Sequence, residues 1–168
     1  KKEVMINSSN SGFDFMKEYL SQIQAVEEWI LDDYIAHWNE CSFPKNTLMT
    51  RQGETERYMY FVLEGIQKSY YLNDEKEHII AFTYGPSISG IPESFLSQSP
   101  SDYFLATISD SKFLRISFEK HQELMEKHRS IETLFRKATE LLLIGVLKRY
   151  YELMAVSYTH LRAHETAS

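Results

Sequence analysis

The stretch Y-M-Y-F-V-L-E-G-I-Q-K-S-Y-Y-L-N-D-E-K-E-H-I-I-A-F-T-Y, Tyr58 to Tyr84, decides the fold. Its short runs of Tyr, Phe, Val and Ile suit a pleated, half-buried surface, and no helical stripe runs through them. Glycine at Gly65 supplies a positive φ at little steric cost, and the polar cluster Asn73-Asp74-Glu75-Lys76-Glu77 reads as a hairpin tip. Three strands follow: Tyr58 to Glu64, Ile66 to Leu72 and His78 to Tyr84. Working outward, the same texture marks Thr47 to Arg51, Tyr103 to Ile108 and Lys112 to Ser117.

Helical signals flank this β unit. From Phe13 to Trp38, apolar residues recur at helical intervals, including Phe15, Leu20, Ile23, Val26 and Ile30, which predicts one or two short helices packed on the domain as a lid. Phe118 to Lys127 reads as a short helix. Ser130 then opens a much longer one, with Thr133 as a second candidate cap, running to about Ala155. Its apolar positions are too many for one core-facing stripe. The helix therefore needs a second surface to bury against, most economically the same helix of a second copy. The residues expected at that interface are Leu142, Leu143, Val146, Leu147, Tyr150 and Met154. Ser157 to Ser168 lack a continuing apolar face and read as a non-native tail.

The expected organisation is thus a helical segment over 1–42, a β-roll over 43–128, a long helix over 129–156 and the tail over 157–168. The fold class is mainly β with flanking helices. At 168 residues the chain fits one domain able to bury roughly 70% of its unfolded surface. With 43% hydrophobic and 14% aromatic residues it is neither disordered nor of low complexity. The single cysteine, Cys41, excludes an intramolecular disulfide. With no leader and no long apolar run in view, a cytoplasmic protein outside the membrane is expected. A net charge of -6 argues against a nucleic-acid surface in these residues, because neutralising phosphates takes clustered Lys and Arg.

The order of helices, short strands and long helix, together with F-P-K-N-T-L-M-T-R-Q-G-E (Phe43 to Glu54), Y-M-Y-F-V-L-E-G (Tyr58 to Gly65), the loop Gly85 to Phe104 and R-I-S-F-E-K (Arg115 to Lys120), resembles the sensor half of a Crp/Fnr-superfamily transcription regulator. The resemblance covers about Phe15 to Ala155. It implies a double-stranded β-helix, or jelly roll, followed by a dimerisation helix and then a DNA-binding winged helix-turn-helix. No segment here matches that last part, so homodimerisation is expected in this chain and DNA binding only through a C-terminal domain it does not contain.

The resemblance also makes Gly85 to Phe104 the equivalent of a phosphate-binding cassette. In ligand-binding relatives a glycine admits backbone N–H groups to the cyclic phosphate, an acid after it takes the ribose hydroxyl, and an Arg-Ser pair holds the anion. Gly90 stands at the glycine position. The acid is replaced by Ile91, and the Arg-Ser pair by Ser101 and Asp102. A buried phosphate facing Asp102 without a guanidinium meets like-charge repulsion and desolvation together. The candidate ligand residues of this degenerate cassette are Gly90, Ile91, Glu93, Ser94, Ser101 and Asp102, with Val146 and Leu147 as the approximate equivalents of the purine contacts on the long helix. Three outcomes stay open: a small uncharged or apolar effector, no ligand, or a cyclic nucleotide held unconventionally.

No enzyme and no cofactor are expected. The runner-up is a cupin-like small-molecule-binding or enzymatic barrel, which needs an H-x-H metal pair, whereas His78 is followed by Ile79 and Ile80. His121 and His128 lack an acid or thiol to complete a metal site, and His160 and His164 fall in the discounted tail. Glu27, Glu28, Asp32 and Asp33 read as a solvated acidic face.

Overall fold

The computed structural model describes residues 11–165, with side chains through residue 155. Two antiparallel four-stranded sheets face each other, ordered β1-β8-β3-β6 and β2-β7-β4-β5. The strands are β1 (Asn39–Phe43), β2 (Leu48–Thr50), β3 (Tyr58–Glu64), β4 (Ile66–Asn73), β5 (Lys76–Tyr84), β6 (Ser87–Ser89), β7 (Phe104–Thr107) and β8 (Ser111–Ser117). Helices α1 (Gly12–Ile23) and α2 (Glu28–Ile35) precede them, α3 (Pro92–Ser97) lies between β6 and β7, and α4 (Phe118–Lys127) and α5 (Arg129–Glu165) follow. This is a jelly roll with a long C-terminal helix.

The alternation along β3 explains the layering. Met59 and Phe61 point outward with Leu114 and Ile116 of β8, and helices α1 and α2 cover them through Met16, Leu20, Leu31 and Tyr34, joined by Trp38 of the turn after α2. Each fully buried aliphatic or aromatic side chain of this kind contributes about 1.5–3 kcal/mol. The N-terminal helices are therefore half of the main core and not a separable lid. Tyr60, Val62 and Phe113 point inward, flanked by Cys41, Phe43, Met49 and Tyr58. Across the interior the Gln67 Nε2 donates to Ser111 Oγ at 3.0 Å, joining the two sheets.

Local chemistry sets the ends. Ser11 and Asp14 form a reciprocal capping box on α1, and Ser117 Oγ accepts from the Lys120 N–H to start α4. The hairpin tip is tighter than the polar cluster suggests: Asn73 pairs with Lys76, leaving Asp74 and Glu75 with φ of 49° and 61°. Two successive positive φ values match the right-handed twist of the flanking strands.

Three boundaries differ from the sequence reading. β1 begins at Asn39, so the roll takes over inside the segment read as helical over 1–42. The break before the long helix falls at His128, whose carbonyl accepts from the Ile131 and Glu132 N–H groups, so Arg129 and not Ser130 opens α5. The helical backbone also continues past Ala155 to Glu165, through the segment read as a tail, because Ser157–Glu165 holds neither glycine nor proline to stop it. Residues 1–10 and 166–168, at the two ends of the expected organisation, and the side chains of His160 and His164 lie outside the described residues.

α5 packs on its own chain only at its start. Ile131 and Leu134 are buried and Phe135 partly so, whereas every residue from Glu140 to Ala155 is exposed. The six residues expected at a dimer interface, Leu142, Leu143, Val146, Leu147, Tyr150 and Met154, all stand on this uncovered stretch, at 40–57% exposure.

Candidate functional site

The Gly85 to Phe104 segment is built, not merely looped. Ser87–Ser89 pairs with β3 as β6, and Gly90 then turns with φ +139°, a conformation that L side chains avoid. Pro92 occupies the start of α3, where its missing N–H costs nothing, and Gln98 ends the helix in the left-handed region. Sequence reading found neither β6 nor α3, because both are shorter than the periodicity that would reveal them.

After this turn the hydroxyls of Ser94 and Ser101 are already spent. Ser94 is buried; its Oγ donates to the Ser99 carbonyl at 2.5 Å and accepts from the Glu56 N–H at 2.9 Å. Ser101 is buried as well. Its Oγ accepts from the Tyr103 N–H at 2.9 Å, while its backbone bonds Gly53 and Glu54 of the loop before β3. Ile91 is buried in the apolar interior, and Glu93 and Asp102 are exposed. The structure thus places Gly90, Ile91, Glu93, Ser94, Ser101 and Asp102 in one segment, but it points the two carboxylates to solvent. Val146 and Leu147 are not brought to this segment within the chain; both are exposed on α5.

A residue missed in the sequence completes the turn. Glu56 is 2% exposed, and its carboxylate accepts from Thr50 Oγ1 at 2.6 Å and from the Tyr58 N–H at 3.2 Å. The backbone N–H groups of Ile91 and Arg57 lie near enough to favour its charged form. Burial pushes its carboxyl above the usual range, and these donors partly offset the rise. An internal carboxylate therefore lies close to the backbone N–H that follows Gly90. No spacing in the sequence announces it.

Arg115 is the second missed residue. Its guanidinium lies 4.4 Å from the centre of the Tyr58 ring, beside the Tyr60 hydroxyl, on the inward face of β8. Period two places it with Phe113 on that face, a signal available in K-F-L-R-I-S. The histidines have bland partners: His78 stacks on Tyr71 at 5.0 Å, His121 is buried against Tyr34, and His128 bonds Asp33 at 3.0 Å. Among the described residues no group of His, Cys, Asp and Glu could hold a metal, and no helix is long and apolar enough to cross a membrane. Two surface clefts, one between the α1–α2 loop and α5 and one beside Pro44 and Lys112, hold no cassette residue.

A jelly roll of two four-stranded antiparallel sheets, with a short helix between β6 and β7 and a long helix after the roll, is the architecture of cyclic-nucleotide-binding domains. The chain belongs to the cyclic nucleotide-binding domain family, whose model matches residues 40–128. A cyclic nucleotide-binding domain from Methylobacillus flagellatus KT superposes with a TM-score of 0.73 at 14% identity, covering 83% of this chain and 80% of that one. The catabolite activator protein of Thermus thermophilus gives 0.66 at 16% identity over 82% of this chain, which spans 62% of the Thermus protein. The sensor domain of the transcriptional regulator DNR from Pseudomonas aeruginosa gives 0.61 at 17% identity, covering 84% and 89%. No curated protein matches the chain in sequence.

Proposed function

We propose that the chain is the sensor and dimerisation unit of a bacterial Crp/Fnr-type transcription regulator, acting as a homodimer in the cytoplasm and reaching DNA only through a further domain. Its work is binding and coupling, not catalysis. The observation that carries this is α5: after a roll of this family, large apolar side chains from Leu141 to Met154 stand 40–65% exposed. A helix that apolar all round is stable in water only when another surface covers it. A second α5 does so with residues the two copies share.

The reading includes a cassette that does not take a cyclic nucleotide in the usual way. Ile91 supplies no acid, the Ser101 hydroxyl is engaged, Asp102 brings the wrong charge, and the Glu56 carboxylate lies close to a cassette N–H. A cyclic phosphate would have to displace that carboxylate and would find no guanidinium within the cassette to replace its hydration. Titration calorimetry with cyclic AMP and cyclic GMP tests the point. A micromolar dissociation constant for either nucleotide at ordinary salt would sink it.

A further inference from the structure

Strand pairing sets four side chains in one row across the inward face of the first sheet. Asn39 pairs with Arg115, Arg115 with Tyr60, and Tyr60 with Ser89. Residues paired across antiparallel strands project from the same face, and Tyr60 fixes that face as the roll interior by packing on Phe113 at 5.5 Å. The row is therefore a polar band laid over the aromatic floor of Phe43, Tyr58, Tyr60 and Phe113.

Two members of the band have unmet chemistry. Arg115 forms no ion pair with any carboxylate among the described residues, although it is partly withdrawn from water. The Ser89 Oγ is buried with no hydrogen-bond partner, and so is the Gln67 Oε1 on the facing sheet. A buried polar atom left unpaired costs stability, so such atoms in a native interior call for a partner. The charge of Glu56 reaches Tyr60, but its oxygens are held by Thr50 and Tyr58, and it makes no contact pair with Arg115.

We infer that the Arg115–Tyr60–Ser89 row is a binding site for a small organic monoanion with a flat apolar body, reached past the partly exposed Tyr58, Cys41 and Met49. The guanidinium takes the carboxylate as a two-pronged donor, and the Ser89 hydroxyl reaches the same group or a polar substituent. The flat body packs on the partly exposed Phe43 and Tyr58 rings at the edge of the aromatic floor. A doubly charged phosphate fits less well, because one guanidinium is the row's only cation and Glu56 stands nearby. Arg115 and Tyr60 lie on β8 and β3, outside the cassette, and only Ser89 of β6 belongs to it, so the roll can sense an effector without the usual phosphate chemistry. The inference rests on the sensor reading above and deepens it.

The test is a titration of the full chain, followed in 1H–15N spectra that include the arginine Nε–H signals, with benzoate as probe and benzamide as its uncharged match. Benzoate is expected to shift the Arg115 and Ser89 signals and to bind about tenfold tighter than benzamide, the size of one charge-assisted hydrogen-bonded contact. The ratio should collapse toward one in Arg115→Met and be partly kept in Arg115→Lys. Ser89→Ala should weaken benzoate several-fold without lowering the thermal midpoint, since the hydroxyl it removes has no partner in the free chain. Equal affinity for the two probes in the wild type, an unchanged ratio in Arg115→Met, or no shift at Arg115 overturns the site. Should Arg115→Met fail to fold, unchanged benzoate affinity in both Arg115→Lys and Ser89→Ala overturns it instead. Cyclic AMP in the same titration separates the two readings: tight binding that persists in Arg115→Met defeats the cassette argument and not this one.

Discussion

The Tyr34 hydroxyl and the His121 Nδ1 lie 3.0 Å apart, a buried contact that ties α2 to α4 across 87 residues of sequence. His121 is fully buried, and it packs edge-on to Phe135 of α5 at 4.4 Å and against Phe95 of α3 at 6.0 Å. One imidazole thus touches α2, α3 and the start of the long helix. Its Nε2 has no partner.

Stability should fall as the solution is acidified through this histidine. Burial lowers the His121 pKa from 6.5 to about 4, so between these values the unfolded chain binds the proton and the folded chain does not. The contribution is complete above pH 6.5 and shrinks as pH drops toward 4, by on the order of 3 kcal/mol over that window. Chemical denaturation at pH 7, 6, 5 and 4.5 checks it. His121→Phe, which cannot titrate, should flatten the slope, and an identical slope in that variant would show that other groups set the acid limit.

The uncovered half of α5 predicts its own behaviour in solution. Leu143→Glu and Leu147→Glu together place charges on the 143–147–150–154 ridge, where a partner helix would have to desolvate them. The double variant should sediment as a monomer while the wild type sediments as a dimer. If both sediment alike as dimers, a different surface holds the copies together.

Glu56→Ala should cost about 1–3 kcal/mol, because it leaves the Thr50 hydroxyl and the Tyr58 N–H, both buried or nearly so, without their acceptor. Glu56→Gln should cost less, since the amide oxygen still accepts. Urea unfolding of the three proteins orders them, and a Glu56→Ala chain as stable as wild type would mean that the carboxylate does not organise the turn.

Gly65 and Gly90 should respond to alanine for different reasons. At Gly90 the added Cβ meets only the Tyr58 carbonyl at 3.5 Å, so the cost is that of φ +139°, about 1–3 kcal/mol. At Gly65 the Cβ would come within 2.5 Å of the Asp110 carbonyl as well as taking φ +92°, so Gly65→Ala is expected to be the more damaging. Unfolding midpoints decide the order.

The amino-acid sequence by itself determined the strands from Tyr58 to Tyr84, the long helix, its excess of apolar girth and the absence of Arg and Lys between Lys76 and Lys112. Each of these is a local pattern: period-two runs, a helical stripe, or a stretch without basic residues. Tertiary structure alone decided that Asn39–Phe43 and Ser87–Ser89 are strands, since three to five residues pair only when β8 and β3 offer them an edge. It also decided that Glu56 is buried between Thr50 and Tyr58, that His121 joins four helices, and that Arg115, Tyr60 and Ser89 share one row. Those positions acquire their environment from residues far along the chain. Burial and register are properties of the paired sheets, and no window of neighbouring residues contains them.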